Sequence, residues 1–247
     1  KSIISSDNMF RVWRADVKDV LKQDGNVLEV YFHSITKKGL ELLEKSPYRF
    51  PAANDLSQIG GLYDKKISMY MRKAPYNFGW DWGPRIITMG IWKPVRLEGW
   101  NNARIEDTHY ITSSLKSRQA DLDVKVNVQS DKLIADAELV ISNNGKIYSK
   151  VPVRLEKGMN QLKTSFDVKN PQLWWCNGIG KQNLYDFKAE VISKGSVIAE
   201  HIDRIGIRTI RLEQEKDQWG RSFRFILNGV PVFAKGVNVI PFDNILT

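Results

Sequence analysis

The segment NFGWDWGPR, residues 77–85, combines the side chains that a sugar-binding site needs. An indole has a flat apolar face that can stack on the C–H side of a sugar ring, and a carboxylate can accept hydrogen bonds from two sugar hydroxyls. Trp80 and Asp81 are adjacent and supply both groups. They are therefore predicted to form part of a sugar subsite.

Backbone restrictions predict that this segment is an ordered turn. Its two glycines permit positive φ, and Pro84 fixes its own φ and restricts the glycine before it. Arg85 is expected to hold the turn through backbone carbonyls or a nearby carboxylate. A structural interpretation stays open, in which Trp80 and Trp82 fill a core and Asp81 caps the turn through backbone amides.

A second aromatic segment, NPQLWWCNGIGKQNLYDFKAEV, spans residues 170–191. Trp174 and Trp175 follow a proline and precede Asn177-Gly178, a dipeptide typical of turns. This order predicts a buried anchor and a turn at the edge of a β-sandwich. The functional alternative is a second sugar platform.

No other segment has the pattern of a catalytic or metal site. Glycoside hydrolysis needs two carboxylates, about 5–5.5 Å apart in retaining enzymes, and Glu41 and Glu44 on a short helical segment are interpreted as solvated. No triad order, GxSxG elbow or glycine-rich phosphate loop occurs. A single cysteine, Cys176, and three histidines without ligand spacing predict neither an internal disulfide nor a metal site, and no cofactor is expected.

The composition is that of an ordinary globular chain. Of the 247 residues, 42% are hydrophobic and 26% are charged, which allows a buried core. The 37 lysines and arginines outnumber the 28 aspartates and glutamates, but they are scattered singly or in pairs, so no nucleic-acid partner is expected despite the net charge of +9. No apolar run approaches the ~20 residues that span a bilayer, so no membrane partner is expected.

Alternation of apolar and polar residues predicts that most of the chain forms strands. Leu122, Val124, Val126 and Val128 share one face of a strand over residues 120–130. Further alternating runs occupy residues 26–35, 65–74, 86–100, 136–155 and 184–212.

Turn and helix signals divide these runs. Asn143-Asn144-Gly145 and Lys194-Gly195 are predicted hairpin turns. The single helical candidate covers residues 37–45 and ends before Pro47.

Two successive β-sandwiches are predicted from the short strands and regular turns. The first ends near Trp100. The second runs from about Arg104 to Arg211, the length of an immunoglobulin-like sandwich of ~100 residues. Residues 221–241 then begin a hairpin that turns at Asn228-Gly229 and either joins the second sandwich or opens a third domain.

Five segments resemble, in order and over essentially the whole chain, the β-mannosidases of glycoside hydrolase family 2. They are DNMFRVWRADVKDVLKQDGNVLEVYFHS (7–34), APYNFGWDWGPRIITMGIWKPVRLEGW (74–100), LWWCNGIGKQNLYDF (173–187), RIGIRTIRLEQE (204–215) and FRFILNGVPVFAKGVNVIPFD (223–243). The resemblance implies a mainly β chain of three parts. These are a jelly-roll, galactose-binding-like β-sandwich at residues 1–103, incomplete at its N-terminus, an immunoglobulin-like β-sandwich at 104–212, and the first strand of a truncated (β/α)₈ TIM barrel at 213–247.

The resemblance also implies a function. Members of that family remove terminal β-D-mannose from the non-reducing end of oligosaccharides, using a retaining mechanism with two glutamates on the barrel. A loop of the first domain reaches the barrel mouth, and its Trp-Asp pair, here Trp80 and Asp81, contacts the mannose. A β-mannoside oligosaccharide is therefore the implied substrate. Asn238, at the C-terminal end of the presumed barrel strand, is a further candidate substrate-binding residue, and its alternative role is to cap the strand or loop.

The chain departs from the family pattern in three respects. It is expected to begin partway through the jelly roll. Cys176 stands where a proline is expected after the paired tryptophans. The acid/base glutamate follows an asparagine in this family, and the chain contains no Asn-Glu dipeptide, so both catalytic glutamates are expected outside it.

Two alternatives to a β-mannosidase stay open at this point. One is another family 2 glycosidase, a β-galactosidase or β-glucuronidase, although the Trp-Asp-Trp-Gly-Pro order of residues 80–84 favours a mannosidase. The other is a stand-alone carbohydrate-binding module. Related enzymes are lysosomal in animals and often exported in bacteria, so a periplasmic, secreted or lysosomal parent protein is compatible with the resemblance.

The 247-residue chain alone is predicted to have no hydrolase activity, because it lacks both the acid and the nucleophile. Incubation with p-nitrophenyl β-mannoside is expected to release no nitrophenol above background. Measurable turnover by the purified chain would contradict this prediction.

Overall fold

The structure is a computed structural model that describes residues 1–53, 55, 62, 64–80 and 83–245. The chain separates into two compact units. The first unit contains Lys1–Arg96 and Asn238–Thr247, and the second contains Leu97–Val237.

The first unit contains helix α1 (Ile35–Lys45), which confirms the helix predicted over residues 37–45. The helix begins after Ser34, whose hydroxyl accepts a hydrogen bond from the backbone N–H of Lys37 at 3.3 Å and so satisfies one of the free amides of the first turn. It ends at Lys45 because Pro47 follows the C-cap and cannot continue a helix. No helix among the described residues is long and apolar enough to cross a membrane.

The core of the first unit is small. Leu43 of α1 packs with Ile67 and Phe78, and all three side chains are buried. Two short 3₁₀ turns, Ser68–Tyr70 and Pro75–Phe78, adjoin this cluster and place Ile67 and Phe78 in it. The second residue of the proposed sugar-binding segment, Phe78, is therefore part of this core.

The strands predicted at residues 26–35, 65–74 and 86–100 are wrong in detail, since no strand is formed in these ranges. A strand needs a neighbour for its backbone N–H and C=O groups, and alternation in sequence does not supply that neighbour. Val27 and Tyr31 accordingly have 84% and 80% of their surface exposed.

The second unit contains a sandwich of seven antiparallel strands. The strands are β1 (Ala103–Lys116), β2 (Gln119–Ser130), β3 (Ile134–Asn143), β4 (Lys146–Leu155), β5 (Gly158–Lys169), β6 (Tyr185–Ser193) and β7 (Ser196–Ile205). One sheet has the order β1-β2-β5 and the other has the order β4-β3-β6-β7. This three-plus-four arrangement is that of the predicted immunoglobulin-like sandwich.

The two predicted hairpin turns of the sandwich are confirmed. Asn144 and Gly145 have φ of 48° and 77°, and Lys194 and Gly195 have φ of 50° and 74°. Two consecutive residues with positive φ match the twist of the flanking strands, which is why Asn-Gly is a strong hairpin signal.

The predicted inward face of β2 is also confirmed. Leu122, Val124, Val126 and Val128 are each at most 1% exposed. Their period of two places all four on the sheet face that meets the opposite sheet.

Phe187 of β6 lies at the centre of the sandwich core and is fully buried. Its ring centroid is 5.4 Å from Tyr110 and 5.2 Å from Phe166, which belong to the opposite sheet. It is also 5.4 Å from Tyr148 and 5.9 Å from Tyr185 in its own sheet. One ring therefore connects the aromatic side chains of both sheets.

A third sheet follows the sandwich. It consists of β8 (Ile210–Glu213), β9 (Arg224–Leu227) and β10 (Val230–Val232), in the order β10-β9-β8. Asn228 and Gly229 turn the β9–β10 hairpin with φ of 50° and 83°, as predicted. The hairpin pairs with β8 and not with a strand of either sandwich sheet.

Replacing Phe187 by Ala is predicted to destabilise the second unit by about 3–5 kcal/mol, because it leaves a cavity that both sheets line. Phe233→Ala is the matched control, since Phe233 is 83% exposed and its loss should change the unfolding free energy by about 0.5 kcal/mol or less. Denaturant unfolding of both variants measures the difference. Equal effects of the two substitutions would contradict the proposed role of Phe187.

Candidate functional site

The described residues of the segment, 77–80 and 83–85, contain the end of a 3₁₀ turn and a backbone hydrogen bond between Trp80 and Gly83. Gly79 has φ of 102°, and its N–H donates to the carbonyl of Tyr76 at 3.2 Å, which ends the 3₁₀ turn. The N–H of Trp80 donates to the carbonyl of Gly83 at 3.0 Å and closes the next turn. A left-handed conformation is therefore required at Gly79 and is not used at Gly83.

Trp80 lies at the surface of the first unit with 38% of its area exposed. Phe78, two residues earlier, is fully buried. The core position in this segment thus belongs to Phe78, and the exposure of Trp80 favours the sugar-platform interpretation over the core interpretation for this residue. Asp81 and Trp82, to which the same two interpretations apply, lie outside the described residues.

Arg85 ends the segment and faces the carboxylate of Asp55. The Nε atom of Arg85 is 3.9 Å from Oδ1 of Asp55, and the two side chains are 9% and 0% exposed. Burial lowers the pKa of the Arg85 guanidinium, and the negative charge of Asp55 opposes this effect. Arg85 thus has the nearby carboxylate that was expected, at ion-pair distance but without a hydrogen bond between Nε and Oδ1.

Asp55 in turn is held by the backbone of the core. Its Oδ2 atom accepts hydrogen bonds from the N–H groups of Ile67 at 2.7 Å and Ser68 at 2.8 Å. A carboxylate that accepts two backbone N–H groups is fixed in position. Sequence analysis missed Asp55, because no local pattern relates it to a partner thirty positions away.

The tail of the first unit also contacts the segment. Nδ2 of Asn77 donates to the carbonyl of Asn244 at 3.3 Å, and Nδ2 of Asn244 donates to the carbonyl of Pro84 at 3.2 Å. Asn238, the residue of this tail that sequence analysis selected, is exposed and lies outside helices and strands. Its role in substrate binding stays a prediction.

The Trp174–Trp175 segment has the bonding of a packing element. The N–H of Trp174 donates to the carbonyl of Ile207 at 2.9 Å, and its ring lies 4.6 Å from the Arg208 guanidinium carbon. Nδ2 of Asn228, the turn residue of the β9–β10 hairpin, donates to the Trp174 carbonyl at 3.0 Å. The segment therefore joins the sandwich to the third sheet within the second unit, which supports the anchor interpretation.

Two glycines make room for these indoles. A Cβ atom at Gly180 would lie 2.8 Å from Cγ of Trp175, and one at Gly206 would lie 2.6 Å from Cγ of Trp174. No real Cβ atom packs at such distances, so each indole lies directly against a glycine.

The described residues contain no group of three or more histidine, cysteine, aspartate or glutamate side chains that could hold a metal ion. Trp80, together with the buried polar groups that hold its segment, is the candidate site that remains.

Two family models match the chain. Residues 1–93 match the glycosyl hydrolase 2 galactose-binding domain-like family, and residues 103–208 match glycosyl hydrolases family 2. The first match agrees with the predicted galactose-binding-like domain, and the second covers the sandwich of the second unit.

Curated relatives match over almost the whole chain. The chain is 34% identical over 247 residues to beta-mannosidase B of Aspergillus terreus and 35% identical over 253 residues to beta-mannosidase B of Aspergillus flavus. Each alignment covers 99% of this chain and 28% of the relative. The chain thus spans little more than a quarter of the length of these relatives.

Solved structures of glycosidases also resemble this chain. A beta-D-mannosidase from Dictyoglomus thermophilum is 37% identical, with a TM-score of 0.82 over 99% of this chain and 29% of that chain. An exo-chitosanase from Amycolatopsis orientalis, with 22% identity and a TM-score of 0.51 over 60% of this chain, shares the fold.

The chain thus contains a galactose-binding-like domain followed by an immunoglobulin-like sandwich. With both of its modules matched by models of one family, the chain belongs to family 2 of the glycoside hydrolases.

Replacing Gly206 by Ala is predicted to destabilise the second unit by about 1–3 kcal/mol, because the new methyl group overlaps the Trp174 indole. Gly99→Ala is the matched control, since a Cβ atom there meets nothing within 4 Å. Thermal unfolding of both variants tests this. If Gly206→Ala lowers the Tm no more than Gly99→Ala does, the packing role of Trp174 is wrong.

Proposed function

We propose that this chain is the non-catalytic part of a retaining β-mannosidase that removes terminal β-D-mannose from the non-reducing end of oligosaccharides. The observation that carries the proposal is the similarity to a beta-D-mannosidase structure at 37% identity and a TM-score of 0.82 over 99% of the chain. Whole-chain likeness at this level includes the Trp80 segment and both modules, and not the sandwich alone.

In this proposal, Trp80 and Asp81 bind the mannose residue that is cleaved. The exposed indole of Trp80 stacks on the apolar face of the sugar, and the Asp81 carboxylate accepts hydrogen bonds from hydroxyl groups. Two features support the assignment: the exposure of Trp80 and the fixed ends of its segment. Asn238 is retained as a third candidate for substrate binding.

The proposal also divides the chain into three domains. Residues 1–103 form the galactose-binding-like domain and residues 104–212 the immunoglobulin-like domain, in agreement with the ranges of the two family matches. We assign residues 213–247 to the beginning of a catalytic (β/α)₈ barrel. The barrel would supply the acid/base and nucleophilic glutamates.

The test uses the complete reading frame that encodes this chain. The full-length enzyme is expected to hydrolyse p-nitrophenyl β-mannoside in preference to the β-galactoside and β-glucuronide. Trp80→Ala should lower kcat/KM for the mannoside about tenfold or more, because the stacking surface is lost, and Asp81→Asn should lower it about 10- to 100-fold, because charge-assisted hydrogen bonds are lost.

Trp219→Ala serves as the matched control. Trp219 is 86% exposed and belongs to the second unit, so its loss should leave kcat/KM unchanged. If the full-length enzyme prefers another glycoside, that glycoside takes the place of β-mannosides as the proposed substrate. Equal activity of Trp80→Ala and the wild type would remove Trp80 from the subsite. Millimolar binding of mannose by an inactive full-length protein would favour a carbohydrate-binding module.

A further inference from the structure

One residue, Asn244, bonds to both sides of the segment that carries Trp80. Its backbone carbonyl accepts from Nδ2 of Asn77, three residues before Trp80, at 3.3 Å. Its own Nδ2 donates to the carbonyl of Pro84, four residues after Trp80, at 3.2 Å. A single asparagine thus fixes the distance between the entry and the exit of the segment.

Among the described residues, backbone hydrogen bonds join Asn77 to Ala74, Gly79 to Tyr76 and Trp80 to Gly83, and these partners are close in sequence. The Asn244 bonds join the described part of the segment to the tail of the unit, and Arg85 at its end lies at ion-pair distance from Asp55.

Asn244 is itself held in a defined orientation. The N–H of Ile245 donates to Oδ1 of Asp243 at 2.9 Å, a turn that encloses residue 244. Asn77 is fully buried, so its side chain is surrounded by packed neighbours.

We infer that Asn244 is a positioning residue for the mannose subsite, acting through the Trp80 segment and not on the sugar itself. This inference rests on the proposed function of Trp80 and Asp81. A displacement of about 1 Å in a group that binds the reacting sugar can lower the rate by as much as 10²-fold, so a residue that fixes the segment contributes to the reaction without touching the substrate.

The two bonds explain why position 244 suits an asparagine and not an aspartate. The Pro84 carbonyl needs a donor, and aspartate offers only acceptors when it is ionised. Asn244→Asp is nearly isosteric and keeps the backbone carbonyl that Asn77 uses, so it removes one bond and places a negative charge against a carbonyl. Asn244→Gln keeps an amide donor and should restore part of the effect.

The first experiment measures hydrogen exchange in the 247-residue chain and does not depend on catalysis. In Asn244→Asp, the amides of residues 77–85 are expected to exchange about three to ten times faster than in the wild type, with Asn244→Gln between the two. Asn26→Asp is the matched control, because Asn26 is an exposed asparagine of the same unit whose side chain bonds to Lys22, four residues away, and not to the segment as far as it is described. Unchanged exchange of the segment in Asn244→Asp would overturn the inference.

The second experiment measures kinetics in the full-length enzyme. Asn244→Asp is expected to lower kcat/KM for p-nitrophenyl β-mannoside about three- to tenfold at an unchanged Tm, and Asn244→Gln should recover part of the loss. A residue with a merely structural role would lower the Tm and leave the kinetics of the folded enzyme unchanged, and that result would overturn the positioning role.

The two experiments separate the inference from the proposed function. If Asn244→Asp speeds exchange of the segment but the full-length protein cleaves no mannoside, the proposed function is rejected. The positioning role is then rejected with it. Mannoside cleavage by an enzyme in which Asn244→Asp alters neither exchange nor kcat/KM would reject the positioning role alone.

Discussion

The buried carboxylate of Asp55 is the group on which the arrangement of the first unit depends. A charge without solvent is tolerated only when it is paired and hydrogen-bonded, because its desolvation costs several kcal/mol. One oxygen accepts the N–H groups of Ile67 and Ser68 and so fixes the turn beside the core. The other oxygen lies 3.9 Å from Nε of Arg85, at the end of the Trp80 segment. One side chain thereby relates the core of the unit to its candidate site.

The sandwich could be predicted from sequence because its signals are local. Period-two burial in β2 and the paired positive-φ turn at Asn144-Gly145 each depend on a few consecutive residues. The strands expected at residues 26–35, 65–74 and 86–100 are absent because a strand is a property of two segments, and alternation describes only one of them. Helix α1 was predictable for the opposite reason, since a helix satisfies its backbone within one segment.

The candidate site was predictable only in part. Its composition indicated a turn with an exposed indole, and the structure has both at Gly79 and Trp80. The groups that hold the turn, Asp55 and Asn244, are an ordinary aspartate and asparagine in sequence, and only the three-dimensional structure relates them to it. Asn238 was selected because it was expected at the end of a barrel strand; it lies outside helices and strands, and its role in substrate binding stays a prediction.

The bonds of Asn244 also set an order of events during synthesis. They join residues separated by 167 and 160 positions, and every residue of the second unit is made between them. At ~5–20 residues per second, the segment of residues 77–85 leaves the ribosome roughly 10 to 30 s before its partner exists. The second unit can therefore complete its sheets while the segment still lacks these bonds.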